Sequence, residues 1–184
     1  MRRLLVMLLG LLVLSGCSKD KYMANPDGSK PDLYPIATVR TWSVVDGAYQ
    51  APSGKVRIYI QDSARFGDDV QLGNGVRIGA RSYVDNDAVV FPNVTIGDDT
   101  KIGKDAIVQS DVKIGNKVVI GGDTTVGQGS VIEDDARTGK WVKIGPKVSI
   151  GSSAQIGPGA TIAGGATVAK SQNVPQGAHV APSK

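Results

Sequence analysis

Few residues in this chain can do chemistry. It has one Cys, Cys17, and one His, His179, in 184 residues. A single Cys removes intrachain disulfides and Cys-based metal sites together. An imidazole titrates near neutrality and can act as a general base. His179, however, stands one residue before Val180, so it is expected to point outward near the end of the chain. Three carboxylate pairs remain, Asp68-Asp69, Asp98-Asp99 and Asp134-Asp135. Such pairs could hold Ca²⁺ through oxygen ligands. Asp is also what a tight corner prefers, and the corner reading is the expected one. No metal or cofactor is expected.

These residues must be positioned by an unusually regular scaffold. An apolar residue recurs every six positions from Ile60 to Val180, through Leu72, Ile78, Val90, Ile96, Ile102, Ile114 and Ile150, with Thr138 the polar exception. A second series precedes each by two, as in Val70, Val76, Ala88, Thr100, Val112 and Ala160. Residues two apart on a strand face the same way. In Val112-Lys113-Ile114, the Lys therefore points outward. Gly follows the strand again and again (67, 73, 79, 97, 103, 115), where its tolerance of positive φ would let the chain turn. Each hexad reads as one short strand plus one corner. A helix is excluded by the period, the frequent Gly and the Val/Ile/Thr strand positions.

The unit Ile102-Gly103-Lys104-Asp105-Ala106-Ile107 resembles the hexapeptide repeat of left-handed parallel β-helices, and the resemblance spans residues 60–180. It implies an all-β fold in which three hexads make one triangular coil. Eighteen residues per coil gives six to seven coils. At ~4.8 Å per strand spacing the prism is on the order of 30 Å long. Two Phe, five Tyr and two Trp suit an interior too narrow for rings.

The N-terminus carries a different signal. Met1-Arg2-Arg3, the apolar run Leu4 to Leu14 and Leu14-Ser15-Gly16-Cys17 have the layout of a secretory leader. The tetrapeptide resembles the bacterial lipobox. That resemblance implies cleavage after residue 16, lipidation (palmitate among the acyl groups) at Cys17, and a membrane partner reached through it. Ser18, rather than Asp, implies the outer membrane, facing the periplasm. Residues 17–40 are expected to be a tether, with Pro26, Pro31 and Pro35 in a polar stretch. Residues 41–59 are read as an N-terminal cap or partial first coil. Residues 60–184 are the helix with its closing coil. Loss of Arg2 and Arg3 would lower the formal charge of +4 by two. No basic stripe with interleaved aromatics suggests nucleic acid.

Most proteins resembling this repeat are acyltransferases whose sites lie between the subunits of a homotrimer and commonly use a His base. His179 is the candidate if that activity holds here. Three features argue otherwise: one His, no insertion breaking the hexad count, and a leader directing the chain away from cytoplasmic acyl donors. A zinc branch resembling γ-type carbonic anhydrase needs three His, which the chain lacks. The expectation is therefore a non-catalytic scaffold or binding module, part of an envelope assembly such as a secretion or export machine. A periplasmic acyl- or acetyltransferase acting on an envelope glycan is the alternative. Val89, Phe91 and Ile107 are expected to form an exposed apolar patch. With Val119, Val131 and Trp141 they are the candidates for an interface between copies or with envelope proteins.

Overall fold

The structure, a computed structural model, describes residues 32–182. The leader, Cys17 and the tether up to residue 31 lie outside them. From Arg57 onward the chain is a left-handed parallel β-helix of about seven coils. Strands mostly two residues long stack into three sheets of eight, nine and seven strands. Lys101–Ile102 pairs in parallel with Tyr83–Val84 on one side and Val119–Ile120 on the other, always at a spacing of eighteen. The two inward series fill the core: Ile58, Ile96, Ile102, Ile120, Ile132, Ile150 and Ile162 are among its largest buried side chains.

The corners divide two tasks that the sequence seemed to give to one glycine. Positive φ falls two residues after the expected slot, at Asp69, Gly75, Arg81, Asp87 and every sixth residue to Gly177. Asp and Asn tolerate that conformation through their short polar side chains. The glycines at 67, 73, 79, 97 and 103 do not have positive φ. They are Gly because the next coil passes too close. A Cβ on Gly103 would stand 2.5 Å from the amide nitrogen of Gly122, and one on Gly139 would stand 2.6 Å from that of Pro158. Where a longer side chain takes this slot, it reaches over that coil: Gln109 Oε1 accepts from Gln128 N (3.2 Å) and Glu133 Oε2 from Ser152 N (2.9 Å).

Buried hydroxyls use a related device. Where the inward residue one coil earlier is aliphatic, the turn can close on itself, as in Ser130 N–H to Gly127 O and Ala160 N–H to Gly157 O, both at 3.3 Å. Thr100 instead inserts its hydroxyl into the next coil's turn. Its Oγ1 accepts from Val118 N (3.2 Å) and donates to Gly115 O (2.8 Å). Ser82, Thr124 and Ser130 repeat the pattern. Each of these four hydroxyls is thereby satisfied, which removes the penalty of burying it. Thr138 acts differently: its Oγ1 accepts from Gly121 N at 3.0 Å, which accounts for a hydroxyl at an otherwise aliphatic position.

The N-terminal end is built from more than the expected cap. Residues 33–39, assigned above to the tether, are part of the fold. β1 (Leu33–Pro35) pairs antiparallel with Gln71–Gly73, and α1 (Ile36–Val39) follows it. Ile36 and Val39, three apart on that one turn, enter the core. Burying two such side chains contributes about 1.5–3 kcal/mol each, which together with the β1 pairing offsets the cost of ordering a stretch whose prolines suggest a free chain. β2 (Ser43–Val45), β3 (Ala48–Gln50) and β4 (Arg57–Ile60) form an antiparallel meander, and β4 hands over to the parallel stack at Arg77–Ile78. Tyr34 and Trp42 meet edge to face at 5.1 Å. Among the described residues no helix is long and apolar enough to cross a membrane.

Candidate functional site

His179 lies on the last described strand, His179–Val180, in register with Thr161–Ile162. The strand is held by Thr161 N to Ala178 O (2.8 Å) and Ala163 N to Val180 O (2.9 Å). Alternation turns Val180 inward and leaves the imidazole exposed. Above it on the same sheet stand Thr161 and then Lys143, again in register. Imidazole, hydroxyl and ammonium thus form a column at roughly 4.8 Å spacing. A neutral imidazole there can accept a proton, the hydroxyl can orient an acceptor, and the ammonium can stabilise a developing oxyanion. Among the described residues of this chain, no side chain is hydrogen-bonded to His179, so nothing within them fixes its tautomer.

The carboxylate pairs prove to be corner residues. Asp69, Asp99 and Asp135 occupy the positive-φ slot. Asp98 and Asp134 share one edge with Asn116 between them. Ala80 N donates to Asp98 Oδ1 (2.8 Å), Asp98 N to Asn116 Oδ1 (2.9 Å) and Asn116 N to Asp134 Oδ1 (2.7 Å). Asp68 falls on another edge, where its N–H donates to Asn86 Oδ1 (3.1 Å). Equivalence within the hexad is not adjacency in space, because only residues eighteen apart stack. Among the described residues no group of three or more His, Cys, Asp or Glu is arranged to hold a metal ion.

The expected apolar patch is not on the surface. Val89, Phe91 and Ile107 are 3%, 2% and 6% exposed. Alternation along the strand fixes the direction in which a side chain leaves it and says nothing of what lies over it, so an outward position was mistaken for an exposed one. Val119 is half-buried, whereas Val131 (39%) and Trp141 (61%) are exposed. Trp141 sits at φ 58°, in the slot normally given to Asp or Gly. Cys17 lies outside the described residues.

Sequence reading also missed a small network. Tyr83 Oη donates to Asp85 Oδ1 (3.1 Å), and Lys101 lies 5.7 Å from the Tyr83 ring centroid and 4.0 Å from Asp85 Oδ2. Desolvation, and then the Asp85 acceptor, hold the Tyr83 phenol above its usual pKa of 10.0. The signal was Tyr83 and Lys101 eighteen apart with Asp85 two residues on.

The model of the bacterial transferase hexapeptide family (six repeats) matches residues 93–128 and 129–170, less than half of the chain. This match overturns the expectation of a non-catalytic scaffold, because the coils carry the repeat of a family of bacterial transferases. Curated protein sequences yield no match. Among solved structures the chain is similar to a hexapeptide transferase family protein from Anaplasma phagocytophilum, with 18% identity over 69% of this chain and 74% of that one at a TM-score of 0.46. It is similar also to the acetyltransferase domain of PglB from Neisseria gonorrhoeae in complex with acetyl coenzyme A, with 21% identity over 69% and 56% at 0.41. A third is the UDP-N-acetylglucosamine acyltransferase of Francisella novicida, with 18% identity over 60% and 58% at 0.29.

Proposed function

We propose that the protein is an acyl- or acetyltransferase acting on a hydroxyl or amine of an envelope glycan. The observation that carries this is the transferase family match across residues 93–170. His179 is the proposed base. It takes the proton from the acceptor as the acceptor oxygen or nitrogen attacks the acyl carbon of a thioester donor. The carbon–sulfur bond then breaks, and the thiolate leaves with that proton. The hexapeptide resemblance adds a homotrimer, in which a neighbouring copy would complete the groove at His179. Exposed Val131 and Trp141 are the contacts offered for self-association. The lipobox adds cleavage before Cys17, its lipidation, and attachment to the outer membrane on its periplasmic side, so the thioester donor must be one presented in that compartment.

The test is thiol release from acetyl-CoA in the presence of amino and hydroxyl sugars, using the full chain. His179→Ala should lower the rate roughly 100-fold or more with an unchanged melting temperature. An unchanged rate removes His179 as base, and no transfer with any acceptor removes the activity. Cys17→Ser should move the protein from the membrane fraction to the soluble one.

A further inference from the structure

At the N-terminal end, beyond the reach of the His179 column, the outer face of β4 bounds a depression of about 450 Å³. Lys55, Arg57, Arg77, Tyr59, Asn74 and Thr95 contribute its chemistry. Three of these are cations, and no carboxylate lines the space. Among the described residues of this half, Arg81 pairs with Asp99 at 2.7 Å, Lys104 with Asp87 at 3.8 Å and Lys101 with Asp85 at 4.0 Å, whereas Arg40 and Arg65 form no ion pair. Among the described residues, Lys55, Arg57 and Arg77 form no such pair.

The cluster is built by the fold. Arg57 and Tyr59 leave β4 on the same outward face, since Ile58 between them is buried. Register places Arg77 beside Tyr59. The Arg57 and Arg77 Cα atoms are thus separated by two residues along a strand and one strand across, roughly 8 Å. The Arg77 guanidinium carbon lies 3.9 Å from the Tyr59 ring centroid, a cation–π contact that holds it in place. Arg57 is fixed through its backbone: its N–H donates to Asn74 Oδ1 (3.0 Å) and its carbonyl accepts from Gly75 N (2.8 Å). That bond uses the Asn74 oxygen and leaves its amide N–H groups as donors. Asp98 lines an adjoining depression with Arg77 and Tyr59, but no carboxylate lines this one; like charges held together there favour an anion, and guanidinium forks fit tetrahedral oxyanions bidentately.

We propose that this depression binds a phosphate group, with Arg57 and Arg77 as the bidentate contacts and Lys55 as the third charge. A soluble phosphorylated compound and a phospholipid headgroup present the same phosphate chemistry to this site.

The test titrates the full chain with inorganic phosphate at low ionic strength by calorimetry. In parallel, its sedimentation with vesicles of phosphatidylcholine alone is compared with that on vesicles also containing phosphatidylglycerol. Saturable phosphate binding is expected, weakened about tenfold by Arg57→Gln or Arg77→Gln and unchanged by Lys170→Gln on a distant coil. Circular dichroism confirms that the variants are folded. Excess binding to the phosphatidylglycerol vesicles that is lost in the same two variants supports a headgroup as the source. Phosphate binding without that excess supports a soluble one. Binding that is absent in the wild type, or weakened equally by Lys170→Gln, overturns the assignment.

Discussion

The two ends of the solenoid are made by different means. At the N-terminal end an α-turn and an antiparallel meander cover the first coil, and Val39, Ala48 and Ile58 are completely buried there. At the last described coil the same inward positions, Ala178 and Val180, are only partly buried. The core is continuous between them, so identical repeat chemistry should have different energetic weight at its two limits. The end rich in extra structure carries the Arg57–Arg77 cluster, and the last described coil carries the imidazole. A solenoid repeats its nearest-neighbour contacts, so individuality is concentrated where repetition stops.

The largest effect should come from charging each end. Val39→Asp places a carboxylate with no partner at a fully buried position, expected to cost roughly 3–5 kcal/mol. Val180→Asp, at a position already partly wet, should cost under about 1 kcal/mol. Urea denaturation midpoints measure both. Equal losses would show that the asymmetry is geometric only.

Coil spacing gives the next contrast. Gly103→Ala puts a methyl against the backbone of Gly121 and Gly122 in mid-stack, with both neighbours held by further coils. About 2–3 kcal/mol is expected for such overpacking. Gly157→Ala meets Pro175 and Gln176 on the last described coil, which can yield, so about half that loss is expected in thermal melts. Substitution at Gly159, whose Cβ would meet nothing within 4 Å, tests the other slot: Gly159→Asn should be close to neutral, because Asn tolerates positive φ.

How legible these features were in the sequence follows from what the hexad encodes. It encodes direction and spacing, so the inward series and the eighteen-residue stacking of Lys101 on Val119 could be read directly. It does not encode which of two corner positions takes positive φ. Gly103 and Asp105 both look like turn residues, and only the neighbouring coil distinguishes a clash from a dihedral. It is also silent wherever the period has not begun. Ile36 and Val39 look incidental among prolines until a coil end exists for them to cover. The shared face of Val89 and Ile107 is legible, whereas their burial and that of Phe91 at the neighbouring corner are not. At the candidate sites, His179 was legible as the lone imidazole. The Arg57–Arg77 pair was not, because twenty residues separate them and the irregular segment before β4 hides their shared face.

Among the described residues, hydroxyl insertion occurs at Ser82, Thr100, Thr124 and Ser130 and not beyond, whereas Ala154, Ala160 and Ala166 close ordinary turns in later coils. Thr100→Val should therefore cost about 1 kcal/mol. The lost bonds to Val118 N and Gly115 O are offset in part when that turn closes on itself as its C-terminal counterparts do. A loss several times larger would mean that the turn cannot close without the hydroxyl.

The smallest expected effect concerns the ion pair on the first coils. Arg81 donates to both Asp99 oxygens at 2.7 Å. The hydrogen bond from Arg81 outweighs desolvation and, with the charges of Arg81 and Lys117, holds the Asp99 carboxyl below its usual pKa of 3.8. A depressed folded-state pKa means that the pair stabilises the protein above the unfolded value, and that this contribution disappears as pH falls through the folded one. The wild type should therefore lose slightly more of its melting temperature than Asp99→Asn between pH about 5 and about 2. Both groups are exposed, so the difference should shrink in high salt. If the two acid profiles coincide at low salt, the pair contributes nothing, and any greater stability measured at the N-terminal end must come from its buried cap.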